Sequence, residues 1–238
     1  GDDFKYVGFE DRFRGSDHDI RAKLRSYLPL FAGASDVLDV GCGRGEFITL
    51  LEAEGISARG IDLNHEMVQV ARDRGLRVDH ADAVTYLDAL ADETLGGLIA
   101  TQVVEHLDPN YLMRFLDAAF HKLRPGAPIV LETINPACWV AFFSSYMLDL
   151  THSQPVHPDT LQYLLQASGF VRVSVQYSAP VPEVDKLKVL HLPADMLAAA
   201  DPVSRAIVDA SRIINANAEI LNHRLFSYFD YAAIGYRA

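Results

Sequence analysis

The sequence predicts an α/β fold in which a doubly wound parallel sheet is covered by helices on both faces. Short apolar runs of strand length alternate with amphipathic segments of helix length over most of the 238 residues. The first of these runs ends in a glycine-rich loop that leads into a helix, and acidic residues follow three successive predicted strands. Because the carboxyl ends of parallel strands meet at one edge of a sheet, these observations predict a ligand site at that edge.

The predicted elements have the order and spacing of βαβ units. The first strand ends at Asp39, a helix spans residues 46–54, and Gly55 stands just past its end. The pattern then predicts strands at residues 58–64, 76–80, 95–100, 128–132, 170–177 and 226–236, and helices at residues 65–74, 109–123, 158–167, 193–200 and 202–224. We expect a single domain over residues 1–238, in which residues 1–30 form an N-terminal lid or helix and residues 181–225 form a helical insertion.

The composition restricts the class of protein. The formal net charge is −11 and no basic stripe with interleaved aromatic residues is apparent, so nucleic acid is not an expected partner. Two cysteines do not make a disulfide framework. The first residues lack the pattern of a signal peptide, and no apolar run reaches about eighteen residues. We therefore expect a cytoplasmic protein with no membrane span.

The most informative motif follows the first predicted strand, where Gly41, Gly43 and Gly45 stand at alternate positions after Asp39. Glycine lets the backbone turn sharply and approach a ligand closely, and the helix that follows presents free N–H groups. The dinucleotide fingerprint G-x-G-x-x-G would need a third glycine where Glu46 stands. The motif is instead similar to motif I of the class I S-adenosylmethionine-dependent methyltransferases, in which the loop lies along the methionine and ribose of the cofactor.

This resemblance implies a Rossmann-like sheet of seven strands whose last strand, residues 226–236, is antiparallel. It also implies S-adenosylmethionine as the cofactor, with Asp62 accepting hydrogen bonds from the ribose hydroxyls and Asp82 from the adenine amine. The residues that would bind the cofactor are Asp39, Gly41, Cys42, Gly43, Asp62, Leu63, Asp82, Ala83 and Gln102. The alternative is a glycine-rich structural turn, with acidic residues that only cap helices.

Candidate catalytic residues follow the fourth predicted strand, in residues 101–107. In the class I fold this position faces the methyl group of the cofactor, so His106 and Glu105 are the predicted catalytic residues. A neutral imidazole can accept the proton of a hydroxyl group while the oxygen attacks the methyl carbon. The alternative is that Glu105 and His106 only cap the start of a helix.

Residues 102–106 also resemble the E-x-x-E-H signature of metal-assisted methyltransferases, but Gln102 replaces the first acid. An amide is a poorer ligand for a divalent cation than a carboxylate. A metal would depend on Glu105 and His106 together with His152 or His157. We therefore assign no metal ligand from the sequence.

A narrower resemblance concerns the acceptor. Residues 9–15, 129–136, 146–158 and 229–231 are similar to methyltransferases of bacterial O-antigen and exopolysaccharide gene clusters. This implies O-methylation of a sugar hydroxyl in surface-polysaccharide biosynthesis, although Leu150 and Gln154 depart from that group's D-P-T-H-x-R-P form. The alternatives are a small-molecule O-methyltransferase of quinone or natural-product type and a non-catalytic cofactor-binding protein.

Three residues are predicted on the substrate side: Arg14, Tyr146 and His152. Arg14, with Arg12, could close over the cofactor carboxylate from the N-terminal lid, or could lie on a solvated helix face. The acceptor is expected to be a small molecule or glycan.

Two further segments carry apolar side chains whose role the sequence leaves open. Residues 137–147 concentrate four aromatic side chains, which would be buried, form an apolar lid, or make a peripheral contact with a membrane. Residues 202–224 carry an apolar stripe, expected to cover the sheet, with a homodimer contact or a substrate lid as alternatives. The residues of the stripe are Ile207, Ile213, Ile214, Ile220 and Leu221.

Overall fold

The computed structural model describes residues 17–238, which form a seven-stranded sheet with helices on both faces. The strand order is β3-β2-β1-β4-β5-β7-β6. The strands are β1 (Val37–Val40), β2 (Ala58–Asp62), β3 (Val78–His80), β4 (Gly97–Thr101), β5 (Pro128–Ile134), β6 (Val171–Pro180) and β7 (Tyr228–Tyr236). The order reverses between β1 and β4, which is where open α/β sheets bind ligands.

The predicted pairing of the last strand is confirmed. β1 pairs in parallel with β2 and β4, whereas β7 inserts antiparallel between β5 and β6. Glu132 stands opposite Ala232 in this register, and Ile134 stands opposite Asp230. The antiparallel strand therefore carries Asp230 to the edge of the sheet at which the parallel strands end.

The helices follow the strands in the predicted order. They are α1 (Asp17–Leu24), α2 (Glu46–Ala53), α3 (His65–Asp73), α4 (Ala83–Asp88), α5 (Pro109–Lys122), α6 (Trp139–Ser144), α7 (Pro158–Ala167), α8 (Ala194–Ala198) and α9 (Pro202–Leu225). Short 3-10 helices occur at Arg25–Phe31, Val104–His106, Tyr146–Leu148 and Glu183–Asp185. The short helix α4 was not predicted from the sequence, and residues 226 and 227 lie before β7 rather than within it.

The core has two main layers, one on each face of the sheet. One layer buries side chains of α4, α5 and α7 against β4 and β5, and Phe115 and Leu161 are fully buried in it. The other buries side chains of α1, the first 3-10 helix, α2 and α3, with Tyr27 and Phe47 at its centre. Apolar burial of this extent is the main source of stability of such a sheet.

The apolar stripe of helix α9 does not face the sheet, contrary to expectation. Ile213 is 64 % exposed and Ile220 is 52 % exposed, so the apolar stripe does not cover the sheet. The helix instead buries Val208, Ser211 and Ala218, which recur on a different face. The 3.6-residue period fixed which residues share a face, but it did not decide which face the sheet would contact. A homodimer contact through the stripe stays a prediction.

Residues 12 and 14, and with them the predicted roles of Arg12 and Arg14, lie outside the described part of the chain. Within residues 17–238, no helix combines the length and the apolar character needed to cross a bilayer.

Candidate active site

The main cavity lies at the carboxyl edge of the sheet and has a volume of about 420 Å³. Pockets of this size commonly hold small molecules or cofactors. Most of the predicted cofactor residues line it. They are Gly41, Asp62, Leu63, Asp82, Ala83 and Gln102, and His106 stands at the same cavity.

The glycine loop adopts the conformation that its sequence requires. Gly41, Gly43 and Gly45 have φ values of 67°, 54° and 80°, in the left-handed region that favours glycine. A Cβ added to Gly41 would lie 2.4 Å from Cγ2 of Val103, so this position has no room for a side chain. The loop therefore brings the main chain directly against the wall of the cavity.

Asp62 stands at the end of β2 and supports the loop. Its Oδ2 accepts a hydrogen bond of 2.8 Å from the Gly43 N–H, and its Oδ1 accepts one of 2.7 Å from the Asn64 N–H. Each carboxylate oxygen has two acceptor lone pairs, so a further hydrogen bond from a ligand hydroxyl remains available at each. Asp62 can therefore hold the loop and a ribose at the same time.

Asp82 caps helix α4 and also lines the cavity. Its Oδ1 accepts hydrogen bonds from the N–H and hydroxyl of Thr85, and its Oδ2 accepts one of 2.6 Å from the hydroxyl of Tyr111. Burial acts to raise the pKa of Asp82, but the hydrogen bonds from Tyr111 and Thr85 outweigh it and the pKa is lowered. Asp82 therefore caps a helix and also borders the cavity, so the cap does not exclude a ligand contact.

Asp39 and Cys42 lie at a second, smaller cavity between helix α1 and the glycine loop. Asp39 is 3 % exposed, and burial raises the pKa of the Cys42 thiol, which is also buried. Gly41 borders both cavities. The two cavities therefore meet at the loop, next to the end of β1.

His106 is held in one tautomer by the loop that follows helix α6. The Thr151 hydroxyl donates a hydrogen bond of 2.7 Å to Asp149, so it can only accept from the Nδ1 of His106, at 3.1 Å. The Thr151 carbonyl oxygen, 3.3 Å away, likewise only accepts. The Nδ1 of the neutral ring therefore carries the proton, and the lone pair is on Nε2.

Glu105 is the buried neighbour of His106 and is 1 % exposed. Burial raises its pKa to about 7, and the nearby carboxylates of Asp230 and Glu132 act in the same direction. Its own backbone N–H and the Thr133 side chain act against this shift without cancelling it. Glu105 does not line the main cavity, and it does not cap α5, whose N-cap is Asp108.

His152 lies beside His106, with 4.7 Å between the ring centroids. Its Nδ1 donates a hydrogen bond of 2.6 Å to the carbonyl oxygen of Tyr146, which leaves the lone pair of the neutral ring on Nε2. One ligand atom from each of Glu105, His106 and His152 lies within 4.8 Å of the others. These three side chains have the composition of a two-histidine, one-carboxylate metal site.

A series of aromatic contacts leads from His152 to the surface. Tyr146 stacks on His152 at 4.7 Å, and Phe142 stacks on Tyr146 at 5.4 Å. Beyond them Phe143 and Trp139 are 59 % and 54 % exposed. Of the three alternatives for residues 137–147, burial therefore holds for Tyr146 but not for Phe143 and Trp139, which are exposed.

Several residues at or beside the main cavity were not found from the sequence. Tyr111 contributes its hydroxyl from the first turn of α5, and Thr151 comes from a loop 45 residues after His106. The sequence predicted a helix from residue 109, but not that its first turn would contact Asp82. Contacts of this kind depend on how helices pack against the sheet.

Comparisons with known proteins identify the family. A family model described as "Methyltransferase domain" matches residues 11–175. The chain is similar to a solved S-adenosylmethionine-dependent methyltransferase from Archaeoglobus fulgidus, with 37 % identity, a TM-score of 0.87, and coverage of 97 % of this chain and 99 % of that one. Phosphoethanolamine N-methyltransferase 2 from Haemonchus contortus, solved with S-adenosyl-L-methionine, shares the fold at a TM-score of 0.62 and 14 % identity over 91 % of this chain and 52 % of that chain.

Curated relatives match over a shorter region. A ubiquinone biosynthesis O-methyltransferase from Xylella fastidiosa (strain 9a5c) is 34 % identical over 105 residues, which is 42 % of each protein. One from Xanthomonas axonopodis pv. citri (strain 306) is 37 % identical over 112 residues, which is 44 % of each. The chain thus spans less than half the length of these curated relatives. The match over residues 11–175 and the similarity to the Archaeoglobus protein show the family of this chain, and the sheet order and the glycine loop agree with them. This chain therefore belongs to the class I S-adenosylmethionine-dependent methyltransferases.

Proposed function

We propose that this protein transfers the methyl group of S-adenosylmethionine to a hydroxyl oxygen of a sugar in surface-polysaccharide biosynthesis. The observation that carries the choice of a hydroxyl acceptor is the fixed imidazole of His106 at the cofactor cavity. A weakly acidic hydroxyl must lose its proton as it attacks, and an Nε2 lone pair is suited to accept it.

In the proposed reaction the acceptor oxygen attacks the methyl carbon in line with the carbon–sulfur bond. The bond breaks, its electron pair stays on sulfur, and the sulfonium becomes a neutral thioether. The hydroxyl proton passes to Nε2 of His106, and Thr151 keeps the ring oriented through Nδ1. Most of the rate enhancement comes from alignment of oxygen, carbon and sulfur, which the walls of the cavity impose.

Exposed aromatic side chains at the outer end of this series of contacts support a sugar acceptor. Tyr146 is buried between His152 and Phe142, which cover both faces of its ring, whereas Phe143 and Trp139 are exposed. Exposed aromatic faces suit the apolar C–H face of a sugar ring. Gln154, where the resembling group has arginine, donates to the Leu107 carbonyl oxygen and offers no cation for a phosphate. An uncharged sugar hydroxyl is therefore favoured over a phosphorylated acceptor.

A phenolic acceptor is the second candidate, because the curated relatives are named ubiquinone biosynthesis O-methyltransferases. Their similarity covers less than half of either protein, so it supports cofactor use more than acceptor choice. Transfer of an isotopically labelled methyl group to a panel of sugars and catechols separates the two. Label on a sugar oxygen supports the proposal, label on a phenol oxygen favours the second candidate, and cofactor binding without transfer to either points to a non-catalytic protein.

The Glu105, His106 and His152 cluster allows a second role for His106. A divalent cation bound there would act as a Lewis acid that lowers the pKa of the acceptor hydroxyl. The proposed base mechanism predicts full activity after exhaustive chelation. Loss of activity with a chelator and recovery with Mg²⁺ or Zn²⁺ would make His106 a ligand rather than the base.

A further inference from the structure

Three charged side chains form a partly buried cluster between helix α1 and the sheet, in which the Glu132 side chain is buried. Lys23 Nζ lies 2.8 Å from Oε1 of Glu132 on β5 and 2.9 Å from Oδ2 of Asp230 on β7. The hydroxyl of Tyr27 donates a hydrogen bond to Oε2 of Glu132. These residues come from three distant parts of the chain, and their contacts fasten α1 to the carboxyl edge of the sheet.

The cluster carries more negative than positive charge. Burial acts to lower the pKa of Lys23, but the two carboxylates outweigh it and the pKa is raised, so the ammonium is retained. Burial and the Glu132 carboxylate raise the pKa of Tyr27, which keeps its phenol neutral. Two carboxylates against one ammonium leave this set of residues with one negative charge in excess. The two carboxylates also affect Glu105, because Asp230 and Glu132 both act to raise its pKa.

The cluster also orients Gln102, which lines the cofactor cavity. The Gln102 Nε2 donates a hydrogen bond of 3.3 Å to Oδ1 of Asp230, and the Gln102 backbone N–H donates one of 2.8 Å to the carbonyl oxygen of Glu132. A carboxylate only accepts, so the amide nitrogen must face Asp230 and the amide oxygen must face away from it. The φ of Gln102 is 56°, a strained value for a residue other than glycine, which surrounding contacts must hold in place.

We infer that Lys23, Glu132 and Asp230 are positioning residues that make the cofactor site prefer the positively charged form of the cofactor over its neutral product. They hold the amide oxygen of Gln102 towards the cavity and place one negative charge in excess behind it. S-adenosylmethionine carries a positive sulfonium, whereas its demethylated product, S-adenosylhomocysteine, has a neutral thioether at the same place. The cluster therefore favours binding of the substrate form and release of the product, whatever the acceptor is.

The test compares the dissociation constants of the two cofactor forms by calorimetry, without an acceptor. Asp230→Asn removes one negative charge at nearly constant shape. The preference for S-adenosylmethionine over S-adenosylhomocysteine is then expected to fall about tenfold. A change of this size in a dissociation constant corresponds to the order of energy with which a unit charge acts on a nearby cation. Lys23→Arg retains the charge and should leave the preference close to that of the native protein. Failure of the proposed sugar chemistry would not affect this measurement.

The control is Arg59→Met, which removes a comparable ion pair, 2.9 Å between Arg59 and Asp36, that does not line the cavity. It should leave the ratio of the two dissociation constants unchanged. Should Asp230→Asn fail to fold, Gln102→Met removes the amide oxygen without touching the ion pairs, and the ratio should again fall. Equal weakening of both cofactor forms in these variants, or an unchanged ratio, would overturn the inference and leave the cluster a purely structural support.

Discussion

At the scale of single residues, Asp62 both supports the glycine loop and lines the cavity. Both of its carboxylate oxygens already accept backbone hydrogen bonds. If it also accepts hydrogen bonds from the ribose, Asp62→Ala should weaken cofactor binding by roughly 1.5–3 kcal/mol in calorimetry. Asp79→Ala, an exposed acid on β3, is the matched control and should bind normally. Unchanged affinity in Asp62→Ala would remove this residue from the binding site.

Gly41 tests whether the main chain must approach the ligand closely. Gly41→Ala combines a φ of +67° with a Cβ only 2.4 Å from Cγ2 of Val103, so either the loop or the Val103 side chain must move. Because both residues line the cavity, cofactor binding should be lost. Gly55→Ala has a similar φ of +75° but no atom within 4 Å of the added Cβ. It should cost only the backbone strain, on the order of 1 kcal/mol in urea unfolding. Equal binding by both variants would show that the loop is only a turn.

At the scale of elements, Tyr111 joins the first turn of α5 to the start of α4. The Tyr111 hydroxyl donates a hydrogen bond of 2.6 Å to Asp82 and accepts one of 3.0 Å from the Val84 N–H. Tyr111→Phe should lower the free energy of unfolding by about 1–2 kcal/mol and let the pKa of Asp82 rise, because the hydrogen bond that lowers it is gone. Urea unfolding and NMR titration measure the two effects. Tyr163→Phe, on an exposed side chain, is the control, and an equal change there would contradict the assigned contact.

The elements differ in how far the sequence predicted them. Strands β1, β2 and β4 and helix α2 were predictable because their apolar periodicity and flanking glycines agree. Helix α4 has six residues, which is too short for its periodicity to be recognised. For α9 the apolar stripe was visible, but its direction depends on contacts with residues far away in the chain. Local patterns therefore defined the elements better than their orientation.

For the whole molecule, the buried carboxyl of Glu105 predicts how stability changes with pH. Its pKa is about 7 in the folded protein, above the ordinary value of 4.5, so the folded state binds the proton more tightly than the unfolded state does. The stabilisation from this group is complete below the unfolded value and is lost as the pH rises through 7. Glu105→Gln should therefore change little at pH 5 and stabilise the protein by about 2–3 kcal/mol at pH 8.

The measurement is urea unfolding of both proteins at the two pH values, in the presence of EDTA so that no cation occupies the cluster. Glu132→Gln serves as a contrast, because that carboxylate is paired with Lys23 and its loss should destabilise the protein at both values. A Glu105→Gln variant that is equally destabilised at pH 5 and pH 8 would contradict the raised pKa.

The candidate site was predictable where topology alone brings residues together. Asp39 lies near the end of β1, Asp62 ends β2 and Asp82 follows β3, so the order of these three parallel strands puts all three acids at one edge of the sheet. The pairing of His106 with His152, and of Lys23 with Asp230 across 207 positions, depends on how loops and helices fold over the sheet. Such contacts have no periodic pattern in the sequence, and only the three-dimensional structure shows them.

The central claim is that His106 accepts a hydroxyl proton during methyl transfer, and the most direct test is single-turnover methyl transfer by His106→Ala. With an acceptor identified from the labelled panel, this variant should bind S-adenosylmethionine normally in calorimetry but transfer the methyl group roughly 10²–10⁴ times more slowly. The rate of the native protein should rise with pH as the imidazole loses its proton, and EDTA should have no effect. A His106→Ala variant that transfers the methyl group at the native rate would contradict the account.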